Sequence, residues 1–194
     1  MDRPDTDALD RADMARLAGG HAAALNDLME RHATPVFHFL CRMLANEEDA
    51  NDLAQETFVR VFANHARFRP DAKFSTWLFT IAANLARNQL RLRHRRPNVS
   101  LDAESDSTTQ TLGDTLASDQ PAPGDGLLTD ERAAAVRAAI GKLPEEMRET
   151  ILLVEFEDKS VAETAAILDV PLKTVESRLH RARKSLRERL TKWL

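Results

Sequence analysis

Apolar residues recur along most of the chain with the spacing of a helix. Over residues 47–68 they fall at i, i+3, i+4, i+7, i+8, i+11 and i+12, which places them on one face. This set consists of Ala50, Leu53, Ala54, Thr57, Phe58, Val61 and Phe62. We therefore predict a helix over residues 47–68, capped by Asn46, whose apolar face packs on a core.

Three further segments predict a helical first domain. Residues 6–19 form a short amphipathic helix ended by Gly19-Gly20. A second helix begins near His21, is broken or kinked at Pro35, and continues its apolar stripe to residue 44. After a loop at 68–73, a further helix carries the apolar residues Phe74, Leu78, Ile81, Ala82 and Leu85. Pro97 closes the domain, which spans residues 1–97.

Beyond residue 97 the composition changes, and a second helical pattern follows. Residues 99–130 contain seven carboxylates and no Lys or Arg, with frequent Ser, Thr, Gly and Pro. They predict a flexible acidic linker over residues 98–127. In the second domain, residues 128–194, Pro144 suits N1 of a helix and Ser160 forms a capping box with Glu163. The predicted fold class is all-α, with two helical domains joined by the linker.

Composition supports this architecture and excludes several classes of protein. Gly is scarce, with 6 residues, Tyr is absent, and Ala, Leu, Arg and Glu are common, which favours helices over sheet. Cys41 is the single cysteine, so no internal disulfide can form. The N-terminal residues are acidic, unlike a signal peptide, and no apolar run approaches the roughly 20 residues of a membrane span. We expect a cytoplasmic protein without membrane insertion.

Charge is segregated along the chain, although the net charge is only −4. Between Ala45 and Val59 there are five carboxylates and no Lys or Arg. The first three suit the helix dipole at the start of the predicted helix, but Asp52 and Glu56 lie beyond its first turn. With Gln55 they form the outer side of that helix. This docking face (Asp52, Gln55, Glu56) is either a solvated surface or a binding surface for a basic partner.

A basic helix edge follows at the end of the first domain. No carboxylate occurs between Lys73 and Leu101. Five polar residues fall on one helix face at i, i+3, i+4, i+7 and i+11, namely Asn84, Arg87, Asn88, Arg91 and Arg95. Arg and Asn are side chains that bind phosphates and base edges. A solvated basic helix end explains the segment equally well.

The end of the chain has the pattern of a helix-turn-helix. Two helices are separated by a short turn at 169–171, where Asp169 tolerates a left-handed conformation. Between Val170 and Leu194 there are eight Lys or Arg and two Glu, a net of +6. A cationic patch of this kind binds the phosphates of DNA and so contributes to DNA affinity. The alternative is a solvated C-terminal helix.

Four stretches of the chain resemble bacterial sigma factors. They are DLAQETFVRVF at 52–62, FRPDAKFSTWLFTIAANLARNQLR at 68–91, LPEEMRETILL at 143–153 and SVAETAAILDVPLKTVESRLHRARKSL at 160–186. The layout is similar to the extracytoplasmic-function (ECF) group of the sigma-70 family, which keeps only sigma regions two and four. The resemblance implies an alternative sigma factor that binds core RNA polymerase and directs promoter-specific initiation, in a stress or environmental response.

The resemblance also implies roles for residues of the first domain. In the family, the helix with the D-L-x-x-E pattern binds the clamp helices of the largest polymerase subunit, which here implies Asp52, Gln55 and Glu56. The following loop and helix end read the minus-ten promoter element as single-stranded DNA. The implied minus-ten residues are Phe68, Lys73, Asn84, Arg87, Asn88, Arg91 and Arg95. Trp77 has the chemistry of a stacking platform, but its place beside the core face favours a structural role.

For the second domain, the resemblance implies duplex recognition of the minus-thirty-five element. Base contacts fall on Thr174, Ser177, Arg178 and Arg181, and phosphate contacts on Lys173, Arg183 and Lys184. Glu176 either accepts from a cytosine amine or only tunes specificity. The implied partners are promoter DNA, core polymerase through its clamp helices and flap, and an anti-sigma factor. In the family the acidic linker threads toward the active site and the RNA exit channel.

Two other classes of function remain to be weighed against a sigma factor. A helix-turn-helix regulator acting without core polymerase would not need the docking face or the basic edge of the first domain. A helical adaptor that binds only proteins would not need the cationic last helix. The sequence contains no clustered nucleophile, Gly-rich phosphate loop or metal-ligand constellation. We therefore expect no catalysis, no cofactor and no metal.

Overall fold

The computed structural model describes residues 5–95 and 126–193, and in the second range it describes the side chains of residues 131–192. Within these ranges the chain forms α-helices and two short 3-10 turns and has no strand, which confirms the predicted all-α class. The helices are α1 (Thr6–Ala18), α2 (Ala24–Leu44), α3 (Glu47–Asn64), α4 (Phe74–Arg95), α5 (Gly126–Gly141), α6 (Glu145–Glu155), α7 (Val161–Leu168) and α8 (Leu172–Arg189).

Helices α1 to α4 form the first domain around the apolar stripes of α2 and α4. Helix α2 runs without a break through Pro35, so of the two predicted outcomes, a break or a kink, the break is wrong. The residues on both sides of Pro35 are buried in the same core, and this packing offsets the missing backbone hydrogen bond. The buried residues of α2 and α4 include Leu28, Val36, Phe39, Leu40, Met43, Phe74, Leu78, Phe79 and Ala82.

Helix α3 follows the predicted pattern with two corrections. Asn46 caps it as predicted, since its side chain accepts from the backbone N–H of Asp49 at 2.8 Å. The α-helix ends at Asn64, and residues 65–67 form a 3-10 turn. Phe62 is 46% exposed, so its predicted place in the core was wrong. At about 100° per residue, position 62 has rotated to the edge of the apolar face that Ala50 begins.

A buried polar cluster attaches α1 to α2, and the apolar pattern gave no sign of it. Asp10 is 1% exposed and accepts from Arg31 Nε at 3.0 Å. His32 Nε2 lies 2.8 Å from the other Asp10 oxygen, Oδ2. Burial alone would raise the pKa of Asp13, but hydrogen bonds from Arg31 and Arg16 lower it. These charges are paired and hydrogen-bonded, which is the condition for burying them.

Helices α5 to α8 form the second domain, and its local signals are largely confirmed. The capping box of Ser160 and Glu163 opens α7. Asp169 ends α7 in the left-handed conformation, with φ of 54°. Pro144 is the N-cap of α6 rather than N1, a shift of one residue. Helix α5 already begins at Gly126, so the last residues of the predicted linker are helical. The rest of that linker and Pro97 lie outside the described residues.

The two domains pack against each other and share one hydrophobic core. Helix α7 lies on α4, and α6 lies on α2. The fully buried Leu152 and Leu153 of α6 and Ile167 of α7 belong to the same cluster as Leu40 and Phe79 of the first domain. Within residues 5–95 and 126–193, no helix is both long and apolar enough to cross a membrane.

Candidate polymerase and nucleic-acid interfaces

The docking face lies on the outer side of α3. Asp52 and Gln55 are exposed, and Glu56 forms an ion pair with Arg60 at 2.7 Å between Oε1 and Nε. Two apolar side chains extend this surface, with Val59 60% and Phe62 46% exposed. Position 59 follows 52, 55 and 56 at helical spacing, so acidic and apolar residues share one side of the helix. Exposed apolar side chains grouped in this way can bury their area against a partner protein.

A second surface lies on α4 and is formed by Asn84, Arg87 and Asn88, which we call the amide face. Asn84 and Asn88 are exposed. The oxygen of Asn84 accepts from Arg87 Nη2 at 2.7 Å, and that of Asn88 accepts from Arg91 Nη2. Each arginine therefore holds an amide by its oxygen, which leaves the NH₂ donors directed away from that contact. Arg95 is exposed at the end of the same helix.

In the loop before α4, Phe68 and Lys73 contact neighbouring side chains of the protein. Phe68 is half-buried, with its ring centroid 5.4 Å from that of Trp77 and 6.1 Å from that of Phe74. Trp77 packs in this aromatic group and also borders a cleft of about 250 Å³ together with Arg60, Asn64, Arg67, Ile81 and Asn84. Lys73 Nζ lies 3.0 Å from Glu163 of α7 and 3.3 Å from Asp7. These contacts raise the pKa of the Lys73 ammonium.

Helix α8 presents an exposed row of polar side chains. Lys173, Ser177, Arg181 and Lys184 are all exposed and recur at i, i+4, i+8 and i+11. Arg181 Nη2 donates to Ser177 Oγ at 3.2 Å, which orients the guanidinium along the helix. Thr174 is half-buried beside this row. Arg183 lies apart, because it forms an ion pair with Glu155 at 2.6 Å.

Arg178 does not belong to the exposed row. Its side chain is only 13% exposed, and Nη2 lies 2.8 Å from Glu146 Oε2 on α6. Its Nη1 lies 3.6 Å from Glu149 Oε1. Glu149 is 3% exposed, and burial raises the pKa of its carboxyl to about 7, against the lowering effect of Arg87 and Arg178. Arg178 therefore joins α8 to α6 in this structure.

No metal or reactive-thiol chemistry emerges from the residues described. Among residues 5–95 and 126–193, no three or more His, Cys, Asp or Glu are grouped so that they could hold a metal ion. Burial raises the pKa of the Cys41 thiol to about 11. Its thiolate, the nucleophilic form, is therefore scarce at neutral pH.

Known proteins identify both halves of the chain. Residues 28–96 match the family described as Sigma-70 region 2, and residues 133–186 match Sigma-70, region 4. The chain is 35% identical over 172 residues to the ECF RNA polymerase sigma factor SigW of Bacillus subtilis, covering 88% of this chain and 91% of SigW. It is 34% identical over 178 residues to the ECF RNA polymerase sigma-E factor of Escherichia coli, covering 91% and 92%.

Solved structures agree with this assignment. The structure of CnrH in complex with the cytosolic domain of CnrY matches with a TM-score of 0.70 and 28% identity, over 95% of this chain and 98% of CnrH. RpoE from Bartonella quintana, solved with the anti-sigma factor NepR, matches in fold with a TM-score of 0.66 at 23% identity, over 87% of this chain and 98% of RpoE.

A helical bundle followed by a helix-turn-helix domain with an exposed cationic row defines a DNA-binding protein of transcription. The chain belongs to the sigma-70 family of RNA polymerase sigma factors, within its ECF group. It is therefore an alternative sigma factor that binds core RNA polymerase and promoter DNA. This family consists of initiation factors rather than enzymes, which confirms the non-catalytic prediction. It also excludes the regulator that acts without polymerase and the adaptor that binds only proteins.

Proposed function

We propose that the two domains divide the work of promoter recognition between separate surfaces. The first domain, residues 1–97, binds core polymerase through the docking face and captures the melted minus-ten strand. The second, residues 128–194, reads the minus-thirty-five element as duplex. The linker over residues 98–127 joins them. The observation that carries this proposal is that two large apolar side chains, Val59 at 60% and Phe62 at 46% exposure, lie beside exposed Asp52 on the outer side of α3.

At the minus-ten element, the amide face is suited to unpaired bases. The free NH₂ groups of Asn84 and Asn88 can donate to base acceptors, and Arg91 and Arg95 lie farther along α4, where they contact the backbone of the strand. Arg87 and Lys73 add positive charge once they are released from their present carboxylate partners. Phe68 contributes by shaping the loop, because its ring is packed against Phe74 and Trp77.

At the minus-thirty-five element, the exposed row of α8 enters the major groove. Ser177 and Arg181 face base edges, with Thr174 beside them, and Lys173 and Lys184 bind phosphates. Arg178 and Arg183 are held by carboxylates of α6 and contribute to DNA binding only if those ion pairs open. We therefore assign the principal base contact to Arg181 in preference to Arg178.

Further contacts and a further partner are part of the proposal. The flap of core polymerase is proposed as the contact of the second domain, and the clamp helices as the contact of α3. An anti-sigma factor is proposed as a partner, supported by CnrH, whose structure was solved with the cytosolic domain of CnrY. The protein acts in the cytoplasm, where core polymerase and promoters are present. It serves a stress or environmental response, as the ECF designation of its relatives suggests.

The experiment that tests this proposal measures the affinity of the chain for core polymerase. The double variant Asp52→Ala/Glu56→Ala is expected to bind core at least about tenfold more weakly, because it removes two charges of the docking face. Its stability should change by only about 0.5 kcal/mol, since both positions are solvent-accessible. The matched control Glu47→Ala/Glu48→Ala removes two carboxylates from the first turn of the same helix and should leave core affinity unchanged. Equal affinities for both double variants would contradict the assignment.

A further inference from the structure

Arginines are frequent at the end of α4, and the structure separates one of them from the others. Arg91, Arg93 and Arg95 all belong to the basic run in which this helix ends. At about 100° per residue, position 93 lies about 180° around the helix from Asn84, whereas Arg91 and Arg95 lie within about 20° of it. Arg93 therefore lies on the opposite side of the helix from the surface proposed to bind DNA.

The Arg93 guanidinium connects α4 to the ends of two other helices. Its Nη1 donates to the backbone oxygen of Leu44, the last residue of α2, at 2.9 Å. Its Nη2 donates to Asp49 Oδ2 in the first turn of α3. A helix ends in unpaired carbonyl groups with partial negative charge, where a cation is favourable. We call these two contacts, from Arg93 to Leu44 and to Asp49, the Arg93 bridge.

The bridge is partly shielded from water, and its acceptor belongs to a well-fixed turn. The side chains of Arg93 and Asp49 are 36% and 28% exposed. Opposite charges attract more strongly in such a position than at a fully exposed one. The backbone N–H of Asp49 donates to the side chain of Asn46 at 2.8 Å, and Ala45 before it ends α2 in the left-handed conformation. The carboxylate that receives Arg93 is therefore held in place by the cap of α3.

Arg93 attaches the last turn of α4 to the first domain. Leu90 is 7% exposed and packs in the core, but Leu92 is 54% exposed. Within the described part of the chain, the side-chain hydrogen bonds that run from α4 beyond Leu90 to α2 and α3 come from Arg93. Helix ends with few buried contacts open readily. The bridge therefore keeps the turn that carries Arg91 and Arg95 helical and in place.

We propose that Arg93 is a positioning residue of the minus-ten site, which holds the last turn of α4 so that Arg91 and Arg95 meet the backbone of the unpaired strand. Arg93 itself does not contact the DNA. This inference rests on the proposed minus-ten role of the two neighbouring arginines. The bridge also joins the two surfaces of the first domain, because Asp49 lies one turn before Asp52 of the docking face.

The test uses Asp49, which receives Arg93 but is not among the residues proposed to contact DNA or polymerase. Asp49→Asn keeps the shape of the side chain, leaves every arginine in the chain and removes one negative charge. Charge alone would make this variant bind DNA more tightly. Loss of the bridge should instead weaken strand binding, because Arg91 and Arg95 are no longer held in place. The matched control is Glu48→Gln, which makes the same change of charge at the exposed neighbouring position.

The measurement uses holoenzyme assembled from core polymerase and an excess of the full chain. Its DNA is a promoter fragment recovered by transcription of a genomic library, with the minus-ten region kept unpaired by mismatches. We expect Asp49→Asn to bind this fragment about threefold more weakly. The slope of log affinity against log salt concentration should also become smaller by about 1, because phosphate contacts are lost. Glu48→Gln should keep the wild-type slope and bind at least as tightly as the wild type.

A second variant, Arg93→Gln, separates positioning from direct contact with DNA. It should weaken binding about fivefold, and Arg93→Gln/Asp49→Asn should bind no more weakly than Arg93→Gln, because both changes break the same bridge. In the free chain, the backbone amides of the last turn of α4 should exchange hydrogen about threefold faster in both single variants than in the wild type. If circular dichroism shows that Arg93→Gln is unfolded, Asp49→Asn and its control provide the test.

Several results would overturn the inference. They are an Asp49→Asn variant that binds the fragment as Glu48→Gln does, hydrogen exchange in the last turn of α4 that equals that of the wild type, and additive losses in the double variant. A loss in Arg93→Gln without one in Asp49→Asn would make Arg93 a direct DNA contact. Failure of the proposed function gives a different result, since Arg91→Ala/Arg95→Ala would then bind the fragment as the wild type does.

Discussion

At the scale of a residue, Glu149 is a buried carboxylate that lies between arginines of two other helices. It faces Arg87 from α4 and Arg178 from α8, with Glu145 and Glu146 on its own helix, and one of its oxygens, Oε2, has no hydrogen-bond partner among the described residues. Burial raises the pKa of Glu149 to about 7. Glu157, which faces Arg42, Lys159 and Asp158, is raised to about 7 by burial as well.

We expect these two groups to make the free energy of unfolding depend on pH near neutrality. A carboxyl with a raised pKa binds more protons in the folded state, so the stability it contributes is complete below about pH 4.5 and is lost as pH rises through about 7. Between about pH 6 and about pH 8, the free energy of unfolding of the wild type should fall by about 1 kcal/mol more than that of Glu149→Gln. Urea unfolding at both pH values measures this difference. Equal losses in both proteins would show that Glu149 does not titrate in this range.

Asn84 provides a residue-scale test of single-strand capture. Its side chain is exposed, so Asn84→Ala should leave the melting temperature unchanged, while its lost amide reduces capture of an unpaired base. Permanganate footprints of holoenzyme on a promoter should show less strand opening, with duplex binding retained. Asn26→Ala, at an exposed position of α2, is the control and should behave as the wild type does. Identical footprints for both variants would remove Asn84 from the minus-ten site.

Arg178 and Arg181 lie one turn apart on α8 and should respond to mutation in opposite ways. Arg178→Ala leaves Glu149 buried without one of its partners, so it should cost about 1–3 kcal/mol of stability. Arg181→Ala should leave stability unchanged and cost about 1–3 kcal/mol at one duplex promoter position. Chemical denaturation and binding to a set of promoter mutants measure the two effects. A base-specific loss in Arg178→Ala without loss of stability would reverse the assignment.

At the scale of elements, most helices follow from the sequence because periodicity and caps are local signals. Asn46, the capping box of Ser160 and Glu163, and left-handed Asp169 all act as the sequence predicts. The buried cluster of Asp10 and His32 did not follow, because charged residues on α1 give no apolar period. Helix α2 passes through Pro35 because tertiary packing overrides a local preference.

Helix α3 gives an element-scale prediction based on the corrected position of Phe62. Phe62→Ser should weaken binding to core polymerase at least about fivefold with little loss of stability, because this ring is 46% exposed on the docking side. Phe58→Ser, four residues earlier and 3% exposed, should instead cost about 3–5 kcal/mol of stability. Core-binding titrations and urea unfolding separate the two. If Phe62→Ser loses as much stability as Phe58→Ser, Phe62 belongs to the core and not to the docking side.

At the scale of the molecule, sequence predicts two domains but not their contact. Leu152 and Leu153 of α6 and Ile167 of α7 are apolar positions of two amphipathic helices, and their pattern does not reveal which domain covers them. Most polymerase and DNA residues of the sequence analysis are exposed, and the partly buried ones are Glu56, Phe68, Arg87, Thr174 and Arg178. Arg87 and Arg178 are partly buried because they form ion pairs with Glu149, which is far from Arg87 and Arg178 in the chain. Only the folded structure discloses such a pairing.

The central claim is that this chain gives core RNA polymerase its promoter specificity through both domains together. Transcription in vitro with core polymerase on a genomic library, with start sites read by sequencing, tests it most directly. We expect start sites that appear only when the chain is added and that share two upstream elements, one for each domain. Asp52→Ala/Glu56→Ala should abolish them, and Glu47→Ala/Glu48→Ala should not. An unchanged set of start sites with and without the wild-type chain would contradict the account.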